Sequence, residues 1–358
     1  MGETFYRKFP PTKYLSMSNP YAIFERAERK RGASKFLEAI PLYLEARRLS
    51  GVDRDLRAAC YFSLGDTYRM VGEFSRAGRC YRTAHSLVLK MSDEVRAYDA
   101  LTGLGLSLRA TGDFREALSI LKRCLKGYRS LDDRAGEAFA LWALAGALRV
   151  KGDLTGAIAA FKESREIFSR LRDRSGVGYC LTGLGGASRV AGDLRASLGY
   201  YRQANRSFTA LKDTFGKAYS YCGIANALRM KGDFSGALKN FKMAKTNYRR
   251  IGDKVSYAYT LWGEGTAYQL LGKDAPAHKD FIEAERLFRD TKDKRGLVYC
   301  MMSLGELEFR KDPKKGMRML KKALKRAEAL GIGVETGYAR RLLRTAEKTP
   351  DKLPLNLA

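Results

Sequence analysis

Residues 133–171 read DRAGEAFALWALAGALRVKGDLTGAIAAFKESREIFSRL. Phe139, Leu141, Trp142, Leu144, Leu148 and Val150 stand before Gly152, and Leu154, Ala157, Ile158, Phe161, Ile167 and Leu171 follow it. The second set recurs at three- and four-residue steps, as an amphipathic helix requires. Gly152 suits the left-handed position that ends a helix, where a Cβ would clash. Asp153 then stands where a side chain caps the next helix and meets the positive end of its dipole. Asp133 precedes the first apolar stretch and reads as the N-cap of the other helix. The unit is therefore helix, tight turn, helix, short turn.

The same unit extends in both directions. Glycine recurs every 40 residues, at 32, 72, 112, 152, 192, 232 and 272. Six of these open one kind of turn: Gly72-Glu73, Gly112-Asp113, Gly152-Asp153, Gly192-Asp193, Gly232-Asp233 and Gly272-Lys273. Asp53, Asp93, Asp133, Asp173, Asp213, Asp253 and Asp293 keep the same period. Two markers in one register define a repeat array. Neither helix of a unit can bury its face alone, so stacked neighbours supply the core. At 45% hydrophobic residues, the chain of 358 has enough apolar surface for a continuous core, which excludes a disordered chain.

First helices carry Leu64-Gly65, Leu104-Gly105, Leu144-Ala145, Leu184-Gly185 and Leu304-Gly305; second helices carry Ala77/Tyr81/Ala84, Ala237/Phe241/Ala244 and Ala277/Phe281/Ala284. That arrangement resembles the tetratricopeptide repeat, with small residues for close helix approach and an aromatic filling the gap between neighbours. The usual repeat is about 34 residues. The longer unit is similar to the version in animal spindle-orientation adaptors that bind G-protein α subunits. The resemblance implies an all-α, right-handed superhelical solenoid of about eight repeats plus a C-terminal capping helix. Its expected division is an arm at 1–18, the array at 19–330, a capping helix at 331–347 and a loose tail at 348–358.

Charge is the strongest compositional feature. Lys and Arg total 67 against 39 Asp and Glu, a net +28. Such a balance favours acidic proteins, nucleic acid or anionic surfaces, or else is an inert basic surface. Lys314, Arg318, Lys321, Lys322 and Lys325 recur at three- and four-residue steps and form one basic helical stripe. Six scattered cysteines without a CxxC pair point to a reduced, cytoplasmic protein. Cys60, Cys180 and Cys300 share a repeat position with Ala100, Ala140 and Ser220, so that slot takes a small side chain, not a thiol. The N-terminal stretch has no apolar signal core. Residues 138–148, the longest low-polarity run, fall short of the about 20 needed to span a bilayer.

By resemblance, the first helix of each pair lines a concave groove. One groove series contains Phe139, Tyr179, Tyr219, Tyr259 and Tyr299; the next contains both tryptophans, Trp142 and Trp262. A third runs Asp66, Leu106, Gly146, Gly186, Asn226, Thr266, Glu306. The adaptors often place Asn in that third series, and here Asn226 alone fits. A fourth runs Arg69, Arg109, Arg149, Arg189, Arg229, Gln269. The candidate partner-binding residues are Arg109, Arg149, Arg189, Arg229, Tyr179, Tyr219, Tyr259, Trp142, Trp262 and Asn226. Guanidiniums match carboxylates or phosphates and stack on rings. Two other readings stand beside this one. Each arginine lies four residues before the acid of its turn, which suits a local pair, and Gln269 accompanies Lys273 as such a pair would. The tyrosines suit packing between repeats.

No catalytic constellation is present. His85 and His278 are isolated, with no metal-ligand spacing. Gly183-Leu184-Gly185 and Gly263-Glu264-Gly265 fall inside helices with no strand before them, so they read as helix contacts, not a nucleotide loop. The expectation is a non-catalytic scaffold, without metal or cofactor, that holds an acidic or aromatic-rich protein segment. The alternative is a single-stranded nucleic-acid (RNA) binder using the same rings and the basic end. Self-association through the terminal repeats is compatible with the scaffold.

Overall fold

The computed structural model describes residues 19–357; the expected arm at 1–18 lies outside them. The described residues form helical hairpins in series. These are α1 (Pro20–Gly32) with α2 (Phe36–Leu49), α3 (Arg54–Met70) with α4 (Phe74–Leu89), α5 (Glu94–Thr111) with α6 (Phe114–Ser130), and α7 (Arg134–Lys151) with α8 (Leu154–Arg170). Then come α9 (Arg174–Val190) with α10 (Leu194–Ala210), α11 (Thr214–Met230) with α12 (Phe234–Ile251), α13 (Lys254–Leu270) with α14 (Asp274–Asp290), and α15 (Lys294–Phe309) with α16 (Pro313–Leu330). A last helix, α17 (Gly333–Lys348), is followed by a 3-10 turn at Pro350–Lys352. Each helix packs on the next, giving an all-α repeat solenoid.

Local chemistry sets the helix ends. Asp53, Asp93, Asp133, Asp173, Asp213, Asp253 and Asp293 each accept from the backbone N–H three residues on, at 2.7–3.0 Å. A cap of this kind stabilises its helix by about 1 kcal/mol. The acids after the turn glycines divide. Asp153, Asp193 and Asp233 are caps, whereas Glu73 and Asp113 make no side-chain cap. The six turn glycines from 72 to 272 lie at φ between 71° and 99°, which a side chain would strain. The turn after Gly32 differs, placing Ser34 at φ 58° instead.

Between hairpins, each second helix inserts one large side chain. Tyr201 shows why the neighbours are small: a Cβ would lie 2.9 Å from its ring at Gly185 and 2.1 Å at Gly223. Gly183, Gly185, Gly263 and Gly265 likewise face the rings of Phe161, Tyr201, Phe241 and Phe281, so they are helix contacts. Burying one such ring contributes about 1.5–3 kcal/mol.

The solenoid also closes on itself. Phe36 and Val71 share an apolar cluster with Ala218, Ala244, Tyr248 and Ile251 from α11 and α12. Lys294 Nζ reaches Asp113 Oδ1 at 3.2 Å across 181 residues of sequence. The start of α17 meets the end of α7, where a Cβ on Gly152 would sit 3.7 Å from Gly333. Distant turns of the coil therefore touch, with the first helices on the inner side.

At its end the array is locked by charge. The Arg295 guanidinium meets the wholly buried Glu335 of α17 at 2.6 Å, and Tyr299 donates to the same carboxylate at 2.7 Å. Helix α17 also buries Ala339, Leu342, Leu343 and Ala346. The expectation of a loose tail at 348–358 is corrected for residues 353–357, which are packed down, while residues 350–352 are exposed and residue 358 lies outside the described residues. Leu353 and Leu357 are buried in the same apolar cluster as Trp262, Tyr299 and Met302: a leucine-rich stretch finds apolar surface inside the coil.

Candidate functional site

The candidate residues sit on the inner helices α5, α7, α9, α11 and α13, but they do not form one uniform ladder. The tyrosines are mostly sealed. Tyr179 is 8% exposed, packs on Phe208 at 4.8 Å between centroids, and donates to Asp213 at 2.9 Å. Tyr259 packs on Phe288 at 4.6 Å and donates to Asp293 at 3.3 Å. Each hydroxyl thus meets the N-cap aspartate of the next repeat, and both rings join hairpins. The expectation that Tyr179 and Tyr259 face a partner is corrected: inter-repeat packing claims them. Tyr219, 39% exposed, stays open.

Both tryptophans are engaged as well. Trp142 is half-buried, stacks on Phe139 at 6.0 Å, and its indole N–H donates to the Tyr179 carbonyl at 3.3 Å. Trp262 is buried against Tyr299 at 4.4 Å and donates to Ser303 Oγ at 2.9 Å. Each offers its face inward to an arginine of the preceding repeat: Arg109 lies 6.0 Å from the Trp142 ring and Arg229 5.8 Å from that of Trp262.

The arginines are not paired with the turn acids. Asp113 takes Lys294 and Thr111, while Asp153, Asp193 and Asp233 cap helices. Among the described residues, Arg109, Arg149, Arg189 and Arg229 have no carboxylate partner. The local-pair reading is therefore corrected for these four. Their side chains instead reach over small residues of the following repeat. A Cβ on Gly146 would collide with Arg109 Nη1 at 1.8 Å, and one on Gly186 would lie 3.9 Å from the Arg149 guanidinium.

Electrostatically two members of the row, Arg109 and Arg229, are strained as cations. Burial, then the charge of Arg149, pulls the Arg109 guanidinium down to about 10. Burial, then Arg189, pulls Arg229 down to about 9. Arg189 Nε and Nη1 are buried without a hydrogen-bond acceptor. Buried guanidinium donors left without acceptors are costly, and a ligand that supplies acceptors removes that cost.

One arginine of the row already holds a chain segment. Arg229, with no exposed surface, donates through Nη1 to Asn356 Oδ1 at 2.5 Å and through Nη2 to the Leu357 carbonyl at 2.7 Å. Asn356 Nδ2 returns a bond to the Arg229 carbonyl at 3.0 Å. Glu306 accepts from the Leu355 amide at 2.9 Å, and burial pushes its carboxyl up to about 8. Asn226 lies beside this contact, its Oδ1 3.4 Å from Arg229 Nη2 and its amide donating to the Cys222 carbonyl at 3.0 Å. Asn226 and Glu306 both belong to the third groove series, of which Glu306 meets a backbone amide of residues 353–357 while Asn226 touches Arg229 and its own helix. The occupant, residues 353–357, was not expected from the sequence.

Comparison with known proteins accords with this geometry. A family profile described as tetratricopeptide repeat matches residues 99–131. A Rap protein complexed with Competence and Sporulation Factor superposes with a TM-score of 0.62 at 13% identity, covering 93% of this chain and 99% of its own. The Rap conjugation gene regulator of plasmid pLS20, in complex with the Phr* peptide, gives 0.64 at 14% identity over 87% and 96%. Aspartyl phosphate phosphatase F from Bacillus subtilis gives 0.52 at 10% identity over 96% and 98%. No curated protein sequence matches. The chain has the fold of a tetratricopeptide-type helical-repeat solenoid, with the repeat profile itself matched at residues 99–131. No helix of the described residues is long and apolar enough to cross a membrane, and no group of His, Cys, Asp or Glu among them could hold a metal ion.

Proposed function

We propose that this protein is a non-catalytic scaffold that captures an extended, acidic peptide segment of a partner along its inner face, with Arg109, Arg149 and Arg189 as the anchoring cations. The observation that carries the reading is the row of inward guanidiniums without carboxylate partners, together with the buried Arg189 donors that have no acceptor. An acidic segment supplies both the charge and the acceptors, and Arg forks hold carboxylates in pairs. Two of the structurally similar proteins, a Rap protein and a Rap regulator, were each captured with a bound factor or peptide, which supports a peptide as the class of partner. The nucleic-acid alternative draws little support from the rings: Tyr179 and Trp262 are buried, and half-buried Tyr259 packs on Phe288.

The test is fluorescence anisotropy with a labelled Asp/Glu-rich decapeptide, with labelled oligouridylate as a second probe. The Arg149→Ala/Arg189→Ala variant, shown folded by circular dichroism, loses the acidic peptide. Equal binding by wild type and variant sinks the reading. Preference for oligouridylate, with an affinity falling about 10³-fold between 50 and 200 mM salt, would transfer the case to nucleic acid.

A further inference from the structure

We propose that the Arg229–Glu306 stretch of the inner face is a subsite for an apolar segment bearing an Asn-Leu pair. Here residues 353–357 (Leu-Pro-Leu-Asn-Leu) fill it in cis, and a partner peptide of the same chemistry gains access by displacing them. The proposal rests on the reading of the inner face as a peptide site and adds its self-occlusion.

The fit is specific. Asn356 uses both ends of its amide, accepting from Arg229 Nη1 and donating to the Arg229 carbonyl. An aspartate would answer the guanidinium but set its other oxygen against that carbonyl, since a carboxylate has no proton to give. The Leu357 carbonyl and the Leu355 amide complete the grip, through Arg229 Nη2 and Glu306 Oε1. Leu353 and Leu357 lie in the apolar cluster lined by Trp262, Tyr299 and Met302. The segment turns tightly, Leu357 N–H bonding back to the Leu355 carbonyl at 2.9 Å, and is held through main-chain atoms and through the side chains at 353, 356 and 357 together.

The occupant is built to leave. It hangs from the end of α17 by the short turn at Pro350–Lys352, so it can lift while Arg295, Tyr299 and Glu335 keep α17 in place. Such a tether gives the segment an effective concentration in the millimolar range, so that a free peptide competes poorly until it offers more contacts. The arginines at 109, 149 and 189 are where a longer partner would find them.

The experiment uses the full chain and a fluorescein-labelled peptide, Lys-Leu-Pro-Leu-Asn-Leu. In the variant Leu353→Ser/Asn356→Ala/Leu357→Ser the subsite is vacated. It is expected to bind the probe at least about 10-fold more tightly than wild type, in line with the lost competition. Adding Arg229→Ala to the vacated variant, or replacing Asn by Ala in the probe, removes about 10-fold or more. In wild type, hydrogen exchange at the Leu355 amide is slow, and saturating probe makes it fast. Equal affinity for wild type and vacated variant overturns the proposal, as does free-peptide exchange at residues 353–357 in wild type. The acidic decapeptide run in parallel separates the two readings. If it binds and the Leu-Asn-Leu probe does not, only the self-occlusion fails; the reverse outcome removes only the acidic partner.

Discussion

Arg189 and Arg229 occupy the same position in adjacent repeats, yet they live differently. Arg229 is fully enclosed and its two Nη groups end on an amide oxygen and a backbone carbonyl. Both keep a buried Nε without an acceptor, but Arg189 leaves its buried Nη1 without one as well. Sequence register is identical; what differs is whether another chain segment has arrived. The occupied site shows what an arginine of this row accepts, and the three before it show the state without that partner. The neutral groups on Arg229 do not cancel its charge, which is why burial still pulls its pKa down. An acidic segment at Arg109 to Arg189 would do what Asn356 and Leu357 leave undone.

The largest expected effect breaks the comparison at its cationic end. Arg149→Glu/Arg189→Glu should weaken the acidic decapeptide by roughly 100-fold or more in anisotropy, because two attractive charges become repulsive. Arg229→Ala in the same assay should change it by less than about 3-fold if the two stretches are separate subsites. A smaller effect sharpens the occupied end. Asn356→Ala leaves Arg229 Nη1 without an acceptor, a cost of about 1–3 kcal/mol. Exchange at the Leu355 amide should therefore rise by about 10-fold or more, while amides within α9 stay as protected as before.

A third prediction is one of pH. The Glu306 carboxyl is raised by burial to about 8 from an ordinary 4.5, so the folded state keeps a proton that the unfolded chain releases. The folded chain binds more protons in that window, so stability falls as pH rises from about 4.5 to 8. Glu306→Gln keeps the acceptor for the Leu355 amide and removes the titration. Its Tm should exceed that of wild type by a few degrees at pH 9 and match it at pH 4. The smallest effect is a control away from the inner face. Lys212 holds φ 57° in a turn where Gly252 of the next repeat holds 78°. Lys212→Gly should raise stability by up to about 1 kcal/mol in urea unfolding, and leave both peptide affinities unchanged.

Legibility in the sequence followed the range of the interaction. Helix caps are decided within three residues, so all seven aspartates could be placed from their spacing alone. The Leu-Gly and aromatic positions were readable too, because each depends only on the adjoining hairpin. Register also put the arginines on the inner helices. It did not show how far each hairpin overlaps the next, and that overlap seals Tyr179 and Tyr259. Spacing alone does not reveal it, since Tyr219 stands the same 34 residues before the cap Asp253 yet stays open. The pairing of arginines with turn acids failed because the acids were needed elsewhere, three as caps and Asp113 by Lys294. Coil closure and the docking of residues 353–357 have no period and leave none. The three leucines between 353 and 357 were the one hint that this stretch seeks cover.

The seam between Asp113 and Lys294 and between Gly152 and Gly333 has a kinetic meaning. For the strand proposed to lie along the inner face, turns that touch at these two places bar sideways entry. The proposal therefore implies that capture waits on parting of the turns, so its speed would follow how often the coil opens.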